Sequence, residues 1–227
     1  MQVKALFANN SLRNYIYLLE DTASKQAICI DPFDAQMVFD YLSLKEYQLV
    51  EIWNTHFHHD HIRGNEDLAK MTQAKIRKFE GGEKEEVFGY QMEVLFSPGH
   101  TLDHVTFLLE GEKKFFFSGD TIFQSSIGNC KNGGDVVTLY NTLQELKQRI
   151  PDDATLYIGH DYFLSNLKFC ESIGFELELV KQYMDRIRKR KFGEFFFLTM
   201  GEEKKINPYL NADEKTFIKL REKRDNW

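Results

Sequence analysis

Short apolar or β-branched runs, separated by polar turns, dominate the first half of the chain. Val3 to Ala8, Tyr15 to Glu20 and Ala27 to Asp31 read as strands, the last closed by Pro32. Asp34 is placed to cap a helix whose Met37, Val38, Tyr41 and Leu42 share one face. Leu49 to Trp53 reads as a short buried strand, and a helix is expected after Asn65, with Leu68 and Met71 on its apolar side. Gln91 to Phe96, Val105 to Leu109 and Lys114 to Phe117 predict three further strands, with Gly111 in the turn between the last two. Asp135 is placed to cap a helix through Leu139, Leu143, Leu146 and Ile150, which Pro151 stops. Thr155 to Ile158 is one more strand. Strands with helices inserted between them predict an α/β protein in which two sheet layers are covered by helices.

Beyond Tyr162 the period changes from two to 3.6. Leu164 to Ile173 reads as a helix broken by Gly174. Leu177, Val180, Tyr183, Met184 and Ile187 mark a second helix, and Asp213 is placed to cap a last one through Phe217 and Leu220. This divides the chain into a main domain, 1–165, and a helical appendage, 166–227. The basic stretch Arg186 to Lys191 reads as a solvated helix end favoured by the helix dipole.

Composition narrows the function classes. The 227 residues are 42% hydrophobic and 28% charged, an ordinary globular balance, and 20 Phe with 10 Tyr predict that bulky aromatics supply much of the core. A formal net charge of -6 argues against nucleic acid as a partner. No apolar run reaches the roughly 20 residues that cross a bilayer, which argues against a membrane role. The start lacks the basic and apolar segments of a signal peptide, and the three cysteines, Cys29, Cys130 and Cys170, are scattered. Both features point to a reducing cytoplasm. Composition leaves monomer and homodimer equally open.

The histidines carry the chemistry. All seven lie between residues 56 and 160. The run Thr55-His56-Phe57-His58-His59-Asp60-His61 follows a predicted strand and is dense in metal-ligand types. Residues two apart on an extended chain face the same way, so His56 and His58 can share one metal. Asp60 and His61 lie where the chain turns toward the next helix and can point at a second. Three later segments repeat one device, an apolar strand, then glycine, then a ligand type: Pro98-Gly99-His100, Ser118-Gly119-Asp120 and Ile158-Gly159-His160. A lone histidine after a strand is an ordinary turn residue. Several strand ends delivering ligands to one sheet edge would build a shared metal centre. Imidazole and carboxylate suit zinc, iron or manganese, and the absence of cysteine ligands argues against a structural zinc knot.

These motifs resemble those of the metallo-β-lactamase superfamily, and more closely the hydroxyacylglutathione hydrolases, also called glyoxalase II. The likeness runs from Ile30-Asp31-Pro32 through the histidine run, Pro98-Gly99-His100-Thr101, Ser118-Gly119-Asp120-Thr121 and Gly159-His160-Asp161-Tyr162. It reaches Asn207-Pro208-Tyr209-Leu210 and Leu220-Arg221-Glu222-Lys223. The resemblance implies a four-layer αββα sandwich with two divalent metal ions, zinc first and iron or manganese as alternatives. One ion would be held by His56, His58 and His100, the other by Asp60, His61 and His160, with Asp120 bridging. Asp60 and Asp120 would be the catalytic carboxylates. His59 is expected to point away from the metals, and His104 to support the site without ligating.

The activity implied is thioester hydrolysis, most closely of S-D-lactoylglutathione, by attack of a metal-bridging hydroxide on the thioester carbonyl. Glutathione's carboxylates would be met by Tyr162, by Asn129 and Lys131 of the loop from Ser126 to Asp135, and by Arg221 and Lys223. The family's basic residue after the first loop glycine is Asn129 here, with Lys131 two residues on as the substitute. Its arginine after the Asn-Pro-Tyr-Leu motif is Asn211. Cys130 reads as a small filler, because the metal-activated oxygen already supplies the nucleophile. The rival readings are a one-iron persulfide dioxygenase, another metallohydrolase such as a lactonase or phosphodiesterase, and a binding protein that has kept the fold alone.

Overall fold

The computed structural model describes residues 1–191 and 194–227. Residues 192 and 193, within the expected appendage, lie outside the described residues.

Alternation of apolar side chains along the strands builds the layers. β1 (Gln2–Phe7), β2 (Tyr15–Asp21), β3 (Gln26–Ile30), β4 (Gln48–Trp53) and β5 (Lys75–Ile76) form one sheet in that order. In β2, Tyr15, Tyr17 and Leu19 join the core between the sheets, while Ile16 and Leu18 join a second cluster. That second cluster includes Val38 and Leu42 of α1 (Ala35–Lys45) and Leu68 of α3 (Asn65–Thr72). β2 is therefore apolar on both faces because it is covered on both. The other sheet has the order β12 (Thr155–Ile158), β9 (Lys114–Gly119), β8 (Val105–Glu110), β7 (Tyr90–Phe96), β6 (Lys84–Val87). The two sheets meet through aromatic contacts such as Tyr17 on Phe117, with ring centroids 5.5 Å apart. Leu139, Leu143 and Leu146 of α4 (Val136–Arg149) supply the helical cover of the second sheet. The layers are those of the αββα sandwich.

Asp34, Asp135 and Asp213 cap α1, α4 and α8 (Glu214–Asp225) with their side chains, as their positions predict. Several elements escape the sequence pattern because they are too short to show a period. These are β5, the β10 (Ile122–Phe123) and β11 (Ser126–Ile127) hairpin, and the four-residue turn of helix α2 (His59–Ile62).

At the C-terminal end, α5 (Phe163–Ser172), α6 (Leu177–Arg188) and α7 (Met200–Ile206) share a third apolar cluster through Leu167, Val180, Met184 and Ile206. Met200, Tyr209 and Phe217 enter the main core, so this region is fastened to the sandwich rather than tethered beside it.

Strand direction gathers the ligand types. β4 is parallel to β3, and β12 to β9; β7 and β9 each run antiparallel to β8, hence parallel to each other. The carboxyl ends of β4, β7, β9 and β12 therefore open on one edge, the usual location of a site in an open sheet. Backbone bonds tie the two sheets there: Tyr15 N–H donates to Gly159 O at 2.8 Å, and Val105 N–H to Thr55 O at 2.8 Å.

Candidate metal centre

His56 and His58 follow β4 on extended backbone, and their rings turn to the same side. His56 Nε2 lies 3.1 Å from His58 Nδ1, which lies 3.0 Å from His100 Nε2. A second group sits beside it. His61 Nε2 lies 3.2 Å from His160 Nε2, and Asp60 Oδ2 is 3.5 Å from each of those nitrogens. Asp120 stands between the groups, its Oδ2 3.1 Å from His160 Nε2 and 3.5 Å from His100 Nε2, its Oδ1 3.4 Å from His61 Nε2. The structure thus brings together all seven residues expected as ligands.

The outer nitrogens decide what the inner ones can do. His56 Nδ1 faces Thr55 Oγ1 at 3.1 Å, and Thr55 in turn donates its hydroxyl to Asp31 Oδ2 at 2.7 Å. His61 Nδ1 donates to the same Asp31 oxygen at 2.9 Å. His58 Nε2, His100 Nδ1 and His160 Nδ1 face the backbone oxygens of Asn132, Asn129 and Leu12 at 3.0, 2.6 and 2.7 Å. Each ring therefore has an outward acceptor for the N–H of its outer nitrogen, which leaves the inner nitrogen facing the cluster. Nitrogens with no proton between them repel at such distances unless a cation intervenes. Nitrogen ligands at about 2.0–2.1 Å from a tetrahedral zinc lie roughly 3.3–3.4 Å apart, a little wider than the 3.0–3.2 Å between these nitrogens. Asp120 Oδ1 is buried with no hydrogen-bond partner. The donor set fits divalent metal.

Electrostatics agree for His56, His100 and Asp120. Burial, then the neighbouring His61 and His104, push His56 well below the ordinary imidazole range, and burial lowers His100 as well. Burial alone would raise the Asp120 carboxyl, but His160 and His61 outweigh it and hold it well below the usual range. His61 goes the other way: burial lowers it, but Asp120 and Asp31 together hold it well above 6.5. The negative potential that does this is one a cation would also feel.

Two glycines leave room for the cluster. A Cβ on Gly159 would stand 2.1 Å from Asp120 Oδ1, and one on Gly119, whose φ is +49°, would stand 2.5 Å from Thr55 Oγ1. His104 lies outside the ligand groups. Its Nε2 accepts from Asp120 N–H at 3.2 Å, and its ring stacks on His56 with centroids 4.8 Å apart. His59 is exposed on α2.

A cleft of about 220 Å³ is lined by Tyr162 and Phe123, whose rings pack on His160. Tyr162 stacks on the His160 ring with centroids 5.0 Å apart, and Asn129, Lys131 and Arg221 also line the cleft. Arg221 is buried and occupied with structure, donating to Ile127 O at 3.0 Å and to Asp225 Oδ1 at 2.7 Å. Lys131 Nζ reaches Asp225 O at 3.3 Å. Lys223 is exposed and is not among the lining residues; Arg224 is. The helical period explains this. Position 224 is three residues from 221 and shares its face, while 223 does not. Cys130 is half-buried, and burial pushes its thiol up to about 11, as suits a filler.

Three residues bearing on the site were not assigned to it from the sequence. Asn14 donates its side-chain amide to Asp60 Oδ2 at 2.9 Å. Asp31 orients His61. Arg224 takes the place expected of Lys223. Only the period from Arg221 carried a local signal, for Arg224.

Known proteins place the chain. Residues 12–91 match the metallo-beta-lactamase superfamily, and residues 161–227 match the family described as hydroxyacylglutathione hydrolase C-terminus. The hydroxyacylglutathione hydrolase of Polaromonas sp. is 32% identical, covering 98% of this chain and 90% of the relative. The chain belongs to the hydroxyacylglutathione hydrolase family. Another member, from Nitrosococcus oceani, is 31% identical over 98% of this chain and 90% of its own. Among solved structures, ETHE1 from Myxococcus xanthus superposes with a TM-score of 0.74 at 26% identity, covering 98% of this chain and 90% of that one. The BLEG-1 B3 metallo-beta-lactamase shares the fold, with a TM-score of 0.72 at 18% identity over 93% of this chain and all of its own (100%). As a hydroxyacylglutathione hydrolase family member with this donor set, the protein is a metal-dependent hydrolase. Among the described residues, no helix is long and apolar enough to cross a membrane.

Proposed function

We propose that the protein hydrolyses thioesters of glutathione, S-D-lactoylglutathione first, at a centre of two divalent metal ions. His56, His58 and His100 hold one ion, and Asp60, His61 and His160 the other. Asp120 serves both, having two oxygens. The observation that carries this reading is the pair of inward-facing ligand groups sharing Asp120, with a cleft containing Tyr162, Lys131 and Arg224 beside them.

When bound, a divalent metal lowers the pKa of coordinated water to about 7 and polarises a carbonyl. The chain's own residues do the rest. Asp31, Thr55 and three backbone carbonyls fix the imidazoles in the tautomer that ligation needs, without reorganisation during reaction. Asp60 and Asp120 supply the negative charge that offsets the cations. Tyr162, Lys131 and Arg224 seat the carboxylates of the thiol half. The thiolate is a good leaving group, so no dedicated general acid is required.

Zinc is the first expectation for the metal. A one-iron dioxygenase is the rival, and the match of the C-terminal segment to the hydrolase family supports hydrolysis. The test is thiol release from S-D-lactoylglutathione by metal-quantified protein, run beside oxygen consumption with glutathione persulfide. Thiol release without oxygen uptake is expected. The reverse result would replace the hydrolase reading with the dioxygenase one.

A further inference from the structure

A second cleft, of about 380 Å³, opens against the other ligand group, at His58. Phe57 and Leu102 line it, and both are exposed apolar side chains, 44% and 59% accessible. Two apolar side chains exposed together beside a reactive centre form a face that an apolar group can cover. The floor includes Asn132 and Gly133. Asn132 O accepts from His58 Nε2 at 3.0 Å, so the cleft reaches a proposed metal ligand directly.

One loop separates the two clefts. Asn129 and Lys131 face the first, and Asn132 and Gly133 the second. The charge also divides there. The first cleft contains Lys131, Arg221 and Arg224 against the single carboxylate of Asp225, and the second has Asp103 as its exposed acid and no basic side chain among its lining residues besides His58. A thioester has two arms joined at the carbonyl that reacts. With the anionic thiol arm drawn to the basic cleft, the acyl arm extends toward Phe57 and Leu102.

We infer that the Phe57–Leu102 cleft is the acyl-binding site, and that beyond lactoyl it favours uncharged acyl groups with an apolar chain over acetyl and over acyl groups ending in a carboxylate. The inference rests on the thioester hydrolase reading above. Phe57 and Leu102 offer exposed apolar surface next to His58, and apolar surface favours added methylenes. Asp103 at the rim repels acyl chains ending in a carboxylate.

The test uses metal-loaded full-length protein and three thioesters of glutathione, acetyl, hexanoyl and glutaryl, with lactoyl as the reference. Hexanoyl should exceed acetyl in kcat/KM by roughly tenfold, the scale on which apolar pockets discriminate added methylenes. Glutaryl should fall well below hexanoyl. In the Phe57→Ser, Leu102→Ser double variant, the hexanoyl-to-acetyl ratio should drop to about threefold or less. In Asp103→Asn, the glutaryl-to-hexanoyl ratio should rise. Ratios are the readout because a merely structural defect lowers all substrates together. A wild-type ratio near one, or equal loss across the series in the double variant, overturns the acyl site while lactoyl hydrolysis leaves the hydrolase reading standing. Failure to hydrolyse any of the four removes both.

Discussion

Asn14, buried at the start of β2, donates its side-chain amide to the oxygen of Asp60 that faces His61 and His160, at 2.9 Å. Its backbone pairs with His160 in an isolated bridge. One residue thus holds two members of the second ligand group. Supporting bonds of this kind are worth about 10–100-fold in metal affinity. Asn14→Ala should weaken binding of one metal equivalent by roughly tenfold and leave the other in place. Titration with a competing chelator, followed by metal counting, reads this directly, and equal loss of both equivalents would argue against it.

Asp120 touches both ligand groups, and its buried Oδ1 has no hydrogen-bond partner. Asp120→Ala should lose both metals or nearly all turnover. Metal content and thioester hydrolysis are measured together; wild-type turnover in that variant would contradict a shared ligand.

Tyr162 packs on His160 and lines the basic cleft, and burial pushes its phenol up to about 12, so it stays a neutral donor. A hydrogen bond to a charged group contributes about 1.5–3 kcal/mol. Tyr162→Phe should therefore raise KM by about tenfold or more with little change in kcat. A loss confined to kcat would remove Tyr162 from substrate binding.

Glu203 on α7 is fully buried, and burial pushes its carboxyl up to about 8. Its Oε1 accepts from Ser125 N–H and from Asn207, while Oε2 has no partner. Between pH 4.5 and about 8 the folded chain keeps a proton that the unfolded chain releases, so stability falls as pH rises through that window. The slope limit is about 1.4 kcal/mol per pH unit. Glu203→Gln should remove this slope, matching wild type at pH 4.5 and exceeding it at pH 8. Denaturant unfolding across the window checks it, and parallel curves would sink it.

The seven expected ligands meet because each motif carries a local cause that a sequence displays. An extended H-x-H pair faces one way, and a glycine after an apolar strand marks a turn at a strand end. The helix starts at Asp34, Asp135 and Asp213 were legible for the same reason, since a cap is a contact across three residues. Lys223 shows the limit of motif matching: it stands beside the relevant helix face, and Arg224 stands on it.

The residue types, their spacing and the strand ends that present them were set by the chain's own order, because ligation chemistry and backbone period act over a few neighbouring positions. The grip of Asn14 on Asp60, of Asp31 on His61 and the division of charge between two clefts arose only on folding. Those partners lie far apart along the chain, and the pairing of β2, β3 and β4 within one sheet, which sets the start of β2 beside the ends of β3 and β4, brings them within bonding distance.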